Sequence, residues 1–180
     1  MNRRRVWVLS LLSGVLFLVG CAGVKVQDYA DVQPTFDPIA FFNGELVAEG
    51  LVQNRSGEVT RHFVATIDAY WDEERGVLDE VFLFSDGEES ERYWEFTRTG
   101  PNTWTGTAGD VVGESRLVHA GNAIQMRYRL SVPLSSGRNV VLDMDDWLYQ
   151  VSDQTLINET VMRKFGFRVG KLILTIRKLD

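Results

Sequence analysis

Cysteine is nearly absent from this sequence: Cys21 is the only one. A disulfide within the folded part is therefore excluded, and so are a cysteine zinc site and a cysteine nucleophile there. Histidine is almost as scarce. His62 and His119 stand alone, so imidazole chemistry would need both to converge with a carboxylate, and nothing local brings them together. No Gly-x-Ser-x-Gly elbow, His-Glu-x-x-His pair or EF-hand spacing occurs. The glycine-rich stretch Gly106-Thr107-Ala108-Gly109-Asp110 through Gly113-Glu114 lacks the Lys-Ser/Thr of a phosphate loop and reads as turns and bulges. The sequence calls for no cofactor and no metal. Basic charge is in the minority, with 19 Lys and Arg against 25 Asp and Glu and a formal charge of −6. Helical periodicity and internal repeats are missing over most of the chain.

One long apolar run is present, at the N-terminus. Arg3, Arg4 and Arg5 precede Val6 to Val19, a run broken only by Ser10, Ser13 and Gly14. It is short for a transmembrane helix and has the form of a secretory signal. Leu18-Val19-Gly20-Cys21 resembles the lipobox of bacterial lipoproteins at all four positions. That resemblance implies diacylglycerol on the Cys21 thiol, cleavage before it and acylation of the new amine, which together anchor a chain stably. It also implies the outer membrane, facing the periplasm, because Ala22 replaces the aspartate that retains lipoproteins at the inner membrane. Removing residues 1–20 takes three arginines, leaving 16 basic against 25 acidic residues, a charge of −9. Such a domain repels nucleic acid and anionic headgroups, so its expected membrane contact is through acyl chains on Cys21.

The expected organisation is a signal peptide over 1–20, the lipidated cysteine and a tether over 21–38, and a single domain over 39–180. Within that domain the chain alternates with period two. Strands are expected over Gly44–Gln53, Val59–Trp71, Val77–Ser85, Arg92–Arg98, Thr103–Ala108, Val111–His119, Ile124–Val132, Asn139–Val151, Leu156–Arg163 and Lys171–Lys178, with Asp86-Gly87 a strong hairpin signal. The fold class is all-β: an antiparallel meander closing into a lipocalin-like β-barrel, with a β-sandwich as the alternative. Residues 159–170 have a second reading, a helix across a barrel mouth, since Met162, Phe165 and Val169 have helical spacing. The aromatic residues could fill an ordinary core or line a ligand cavity.

The polar stretch of most interest is Asp143-Met144-Asp145-Asp146-Trp147. On a strand, Asp146 shares a face with Val140, Leu142, Met144 and Leu148, which sets a carboxylate among apolar neighbours. It is then either ion-paired with an arginine or an acid of raised pKa. Asp143 and Asp145 take the opposite face with Trp147 and Tyr149.

Several segments together resemble the bacterial lipoprotein family catalogued as domain of unknown function 3833. They are Phe41-Phe42-Asn43-Gly44, Gly106-Thr107-Ala108, Asp110 to Glu114, Gly121-Asn122-Ala123, Asp145 to Tyr149, Asn158 and Lys164-Phe165-Gly166. The resemblance spans nearly the whole mature domain and implies a lipoprotein address and a lipocalin-like barrel. It supplies no activity, cofactor or catalytic residue. The ligand-binding candidates are Asp143, Asp145, Asp146, Trp147, Tyr149 and Asn158, with Cys21 as the lipid attachment.

Three function classes follow, in this order. The first is a barrel holding a small apolar or fatty-acid-like ligand, which calls for a cavity on the order of a few hundred Å³. The second is a filled barrel acting through an unidentified protein partner. The third is an enzyme using Asp145 or Asp146 as acid or base.

Overall fold

The computed structural model describes residues 23–134 and 136–179. Cys21 and the apolar N-terminal run lie outside the described residues. Each alternating stretch becomes a strand: β1 (Gly44–Asn54), β2 (Val59–Trp71), β3 (Arg75–Phe84), β4 (Glu89–Gly100), β5 (Thr103–Thr107), β6 (Ser115–Ala120), β7 (Ala123–Pro133), β8 (Asn139–Ser152), β9 (Thr155–Lys164) and β10 (Phe167–Lys178). Every strand pairs antiparallel with its sequence neighbours, and β1 pairs with β10, so the sheet closes into a ten-stranded barrel. Closure leaves no unpaired edge, which an open sandwich would have left exposed.

The segment 159–170 is not a helix. It is the end of β9, a two-residue turn at Phe165-Gly166 and the start of β10, with Phe167 opposite Lys164. Positive φ values at Phe165 and Gly166, 52° and 80°, set that turn and break any helical run. The expected strand over 111–119 begins only at Ser115. Residues 108–114 form a loop in which Val111 bridges Leu130, and Asp110 O accepts a hydrogen bond from Ser131 N at 2.8 Å.

Alternation decides what faces the lumen. Leu46, Ala48, Phe63, Ala65, Ile67, Trp71, Trp94, Phe96, Trp104 and Ile124 are buried within, while the positions between them face out. Gly106 makes room for this filling, because a Cβ there would stand 2.5 Å from the Phe96 ring.

One end of the barrel is plugged. A four-residue helix, α1 (Pro38–Phe41), is capped by Asp37, whose Oδ1 accepts from Ile39 N at 2.9 Å and Ala40 N at 3.2 Å. It carries Phe41 into a cluster with Phe36 and Phe42, and Phe42 packs on Trp71 at 5.4 Å. Asn43 fastens the plug to the wall: its Nδ2 donates to Ile39 O and Trp71 O at 2.5 and 2.7 Å, and its Oδ1 accepts from Trp71 N at 3.1 Å. The other end carries five hairpin turns or loops and, among the described residues, no helix.

The stretch expected as a tether is packed over its described part. A 3-10 helix, Val26–Tyr29, lies on the outer wall of β6 and β7, with Val26 buried against Ala120 and Ala123. Phe36 is buried in the plug. Absence of a period in 22–38 hid this, because a few anchoring side chains are enough to hold an irregular segment.

Candidate functional site

The lumen above the plug holds a cavity of about 120 Å³. Its floor and walls are apolar: Phe42, Ala48, Ile67, Trp71, Trp94 and Phe96 among them. Glu80, Arg92, Tyr128, Asp146 and Asn158 interrupt the wall. Five strands supply these polar side chains. Glu80 on β3 lies directly opposite Arg92 on β4, with 3.9 Å between charged atoms. Tyr128 comes from β7, packed edge-on against Trp94 at 5.4 Å. Asp146 on β8 lies opposite Thr160 on β9, and Asn158 stands two residues before Thr160.

Arg92 is clamped by Asp110 from the loop between β5 and β6. Its Nε lies 3.1 and 3.0 Å from the two carboxylate oxygens and its Nη2 lies 2.7 Å from Oδ2. Burial alone would favour losing the proton, but the hydrogen bonds to Asp110 and the charges around it push the guanidinium pKa above its ordinary value. The guanidinium is therefore a fixed cation in the lumen wall.

The two lumen acids are not fixed. Burial pushes Glu80 up to about 7, with Arg92 opposing and Asp110, Asp146 and Asp79 adding to the rise. Burial pushes Asp146 up to about 6, offset in part by the Thr160 and Tyr128 hydroxyls and by Arg92. Asp146 is 6 % exposed, and its Oδ1 has no hydrogen-bond partner in the protein. No arginine forms an ion pair with it among the described residues, so of the two sequence readings the raised-pKa acid holds. Burial and the neighbouring Asp146 carboxylate raise Tyr128 well above the usual phenol range.

The six sequence candidates divide. Asp146 and Asn158 face the cavity, where Asn158 Nδ2 donates to Trp147 O at 3.2 Å and its Oδ1 accepts from Thr160 at 3.2 Å. Asp143, Asp145, Trp147 and Tyr149 have the opposite parity and stand on the outer wall. Asp145 accepts there from Gln125 and Arg127 at 2.8 and 3.1 Å, with Arg163 at 3.5 Å. Trp147 and Tyr149 hold the 3-10 helix through Tyr29, at 6.0 and 5.5 Å between rings. An acid–base role that uses Asp145 inside the lumen is thereby ruled out. His62 and His119 do not meet: His62 is exposed towards the open end, while His119 sits at the plugged end against Phe36 at 6.0 Å. Among the described residues no group of three or more His, Cys, Asp or Glu is placed to hold a metal ion.

Sequence reasoning missed Glu80, Arg92, Asp110 and Tyr128. A signal existed for Arg92, which shares parity with Trp94 and Phe96 and so had to point inward. Tyr128 likewise alternates with Met126 and Leu130. Asp110 had none, since its approach depends on how an irregular loop folds back.

The family model for proteins of unknown function, DUF3833, matches residues 15–178. The chain belongs to that family. No curated protein matches it. Among solved structures, the S-type phycobiliprotein lyase CPES of Guillardia theta superposes with a TM-score of 0.54 at 6 % identity, covering 77 % of this chain and 89 % of the lyase. At that identity the likeness concerns the barrel alone. The protein EF1p2_mFAP2b bound to DFHBI gives a TM-score of 0.40 at 11 % identity, over 77 % of this chain and 94 % of its own.

Proposed function

We propose that this DUF3833 protein is a lipid-anchored protein of the bacterial envelope that holds a small, mostly apolar molecule in its barrel. The observation that carries this reading is the cavity with its orphaned carboxylate oxygen. A barrel that needed only to fold would close this space with side chains. Here the apolar walls end at Glu80, Arg92, Tyr128 and Asp146, an arrangement suited to an apolar body with one polar end. At about 120 Å³ the space is smaller than the few hundred Å³ expected from the sequence. It is close to an engineered cavity of about 150 Å³ that accepts benzene, so one ring or a short alkyl segment fits. A fatty-acid-like chain would extend from there along Phe84, Leu142 and Met162, partly buried apolar side chains of the lumen face, towards the unplugged end. The lipobox at Cys21 supports the anchor and the periplasmic address.

The test is native mass spectrometry of the full chain, purified in mild detergent from its own host, followed by solvent extraction. One small organic adduct per chain is the expected result, and Ala48→Phe, which fills the cavity from β1, should abolish it. A clean mass with no uptake of added lipid would reject the ligand reading. For the anchor, Cys21→Ser should leave the fold intact and release the chain from the membrane fraction; a variant that still pellets would refute lipidation.

A further inference from the structure

We propose that the β9–β10 hairpin, through Phe165, Phe167 and the basic residues around them, docks onto the surface of an anionic lipid bilayer. This contact is separate from any anchor at Cys21 and does not depend on a ligand in the lumen.

Phe165 and Phe167 are the most exposed large hydrophobic side chains among the described residues, at 84 % and 78 %. Phe165 is also the one non-glycine residue among them with positive φ, 52°. A two-residue turn of this kind favours Asn-Gly, because a Cβ and bulky ring are strained at the first position. The fold gains little in return: the ring meets Lys164 Nζ, 4.7 Å from its centroid. An aromatic that strains its turn and packs on almost nothing of its own chain is best placed against something outside it.

The surrounding charge says what. Residues 160–171 contain Arg163, Lys164, Arg168 and Lys171 and no acidic residue, in a chain whose formal charge is −6. The adjacent hairpin tips add Arg138 from β7–β8, where residues 132–142 likewise contain no acid, and Arg55 from β1–β2, whose turn also carries Glu58, its carboxylate accepting from Asn54 Nδ2 at 2.9 Å. Lys171 pairs with Glu159 and Arg163 with Asp145. Lys164 and Arg168 instead donate to backbone oxygens, those of Val141 at 2.7 Å and Arg55 at 3.3 Å. Among the described residues no carboxylate forms an ion pair with Lys164, Arg168, Arg55 or Arg138. The largest group of acids at this end of the barrel is on the β3–β4 hairpin, as Asp86, Glu88, Glu89 and Glu91, which is not adjacent to β9–β10 around the barrel; Asp110 and Glu114 stand on the β5–β6 loop.

Aromatic rings flanked by Lys and Arg match the headgroup layer of a membrane, where the rings sit at the apolar boundary and the cations meet lipid phosphates. Most of the net acidity that predicts repulsion from such a surface thus lies off the β9–β10 tip, and the basic tip is free to approach. The same two strands line the cavity with Asn158, Leu172, Leu174 and Ile176. Docking by their tip would set the unplugged end of the barrel at the bilayer.

The experiment places a nitroxide at Val169→Cys, on the same hairpin with both rings kept, in the full chain carrying Cys21→Ser, so that the label has one thiol to attach to. A label at Asp153→Cys, on the opposite end of the barrel, is the reference. Collision with oxygen and with a water-soluble nickel chelate is measured on vesicles of phosphatidylglycerol with phosphatidylcholine and on phosphatidylcholine alone. The expected result is an oxygen-to-nickel ratio several-fold higher at 169 than at 153 on the anionic vesicles. It should fall on neutral vesicles, in high salt and with Lys164→Gln and Arg168→Gln. A label at 169 as water-exposed as that at 153 overturns the proposal, as does insertion indifferent to lipid charge. Immobilisation by a protein extract in place of vesicles would assign the tip to an acidic protein partner and also overturn it. Phe165→Asn, which suits the turn, should fold at least as well as the parent and lose vesicle binding, separating docking from folding.

Discussion

Replacing Asp146 with Asn tests whether the lumen holds this carboxylate in surroundings that resist its charge. Burial moves its ionisation to about pH 6, against an ordinary value of 3.8. Because the folded value lies above the unfolded one, ionisation works against the fold. Below about pH 3.8 the acid is protonated in both states and contributes no penalty. As pH rises through 6 the unfolded chain releases its proton first, and stability falls until both states are charged. A difference of this size corresponds to about 3 kcal/mol when complete. Asn keeps the shape and removes the charge, so Asp146→Asn should resemble the parent near pH 4 and exceed it by about 2–3 kcal/mol near pH 8. The effect reaches Glu80 as well, since the Asp146 anion helps to raise it; in the variant Glu80 should ionise at lower pH. Urea unfolding at pH 4 and pH 8, followed by the fluorescence of the buried Trp71, Trp94 and Trp104, gives both numbers. A variant no more stable than the parent at pH 8, or a difference independent of pH, would refute the assignment of Asp146 as a buried acid without a counter-ion.

Asn43→Ala removes three hydrogen bonds that fasten α1 to β2, and should destabilise by about 2–3 kcal/mol, read as a loss of roughly 6 °C in Tm by calorimetry. Gly106→Ala sets a Cβ 2.5 Å from the Phe96 ring and should lower stability by about 1–3 kcal/mol in urea titration. Gly109→Ala is its control: that glycine has open space around it, and its urea midpoint should not fall. Arg92→Met leaves Asp110 and Glu80 without their cation, so the loop over 108–114 should exchange amide hydrogen faster, while an unchanged rate would mean that the loop is held by its backbone bonds alone.

The strands were legible because period two was so regular: in β7, Ile124, Met126, Tyr128, Leu130 and Val132 take the lumen face without a break. The same rule puts Asp146 inside and Asp143, Asp145, Trp147 and Tyr149 outside, and applied strictly it separates these two groups by parity alone. What alternation cannot supply is which lumen residues meet across the barrel. Glu80 and Arg92 face each other because of the β3–β4 register, and that register follows from where the Asp86-Gly87 turn falls. The Arg92–Asp110 clamp depends on a loop with no period. The packed segment before β1 was invisible for a similar reason, since Val26 and Phe36 anchor it singly. The helical spacing of Met162, Phe165 and Val169 misled because three apolar residues around a glycine turn fit either period.

The polar groups of the lumen are separable from what closes the barrel. The ladder of ten strands and the aromatic floor around Trp71 do not involve the side chains of Glu80, Arg92 or Asp146, and a buried cluster of this kind commonly gives way to apolar residues with little loss of stability. With the two acids at about 7 and 6, the lumen carries exchangeable protons close to neutral pH beside a cation that keeps its charge. A ligand bearing a negative end would favour both acids in their protonated form, where they donate hydrogen bonds, so it should bind more weakly as pH rises through 6 and 7. A ligand bearing a positive end would hold the acids ionised and bind more tightly over the same rise. A neutral one with a single acceptor lies between. The slope of affinity against pH in this window therefore reports the charge of the molecule the barrel is built to hold.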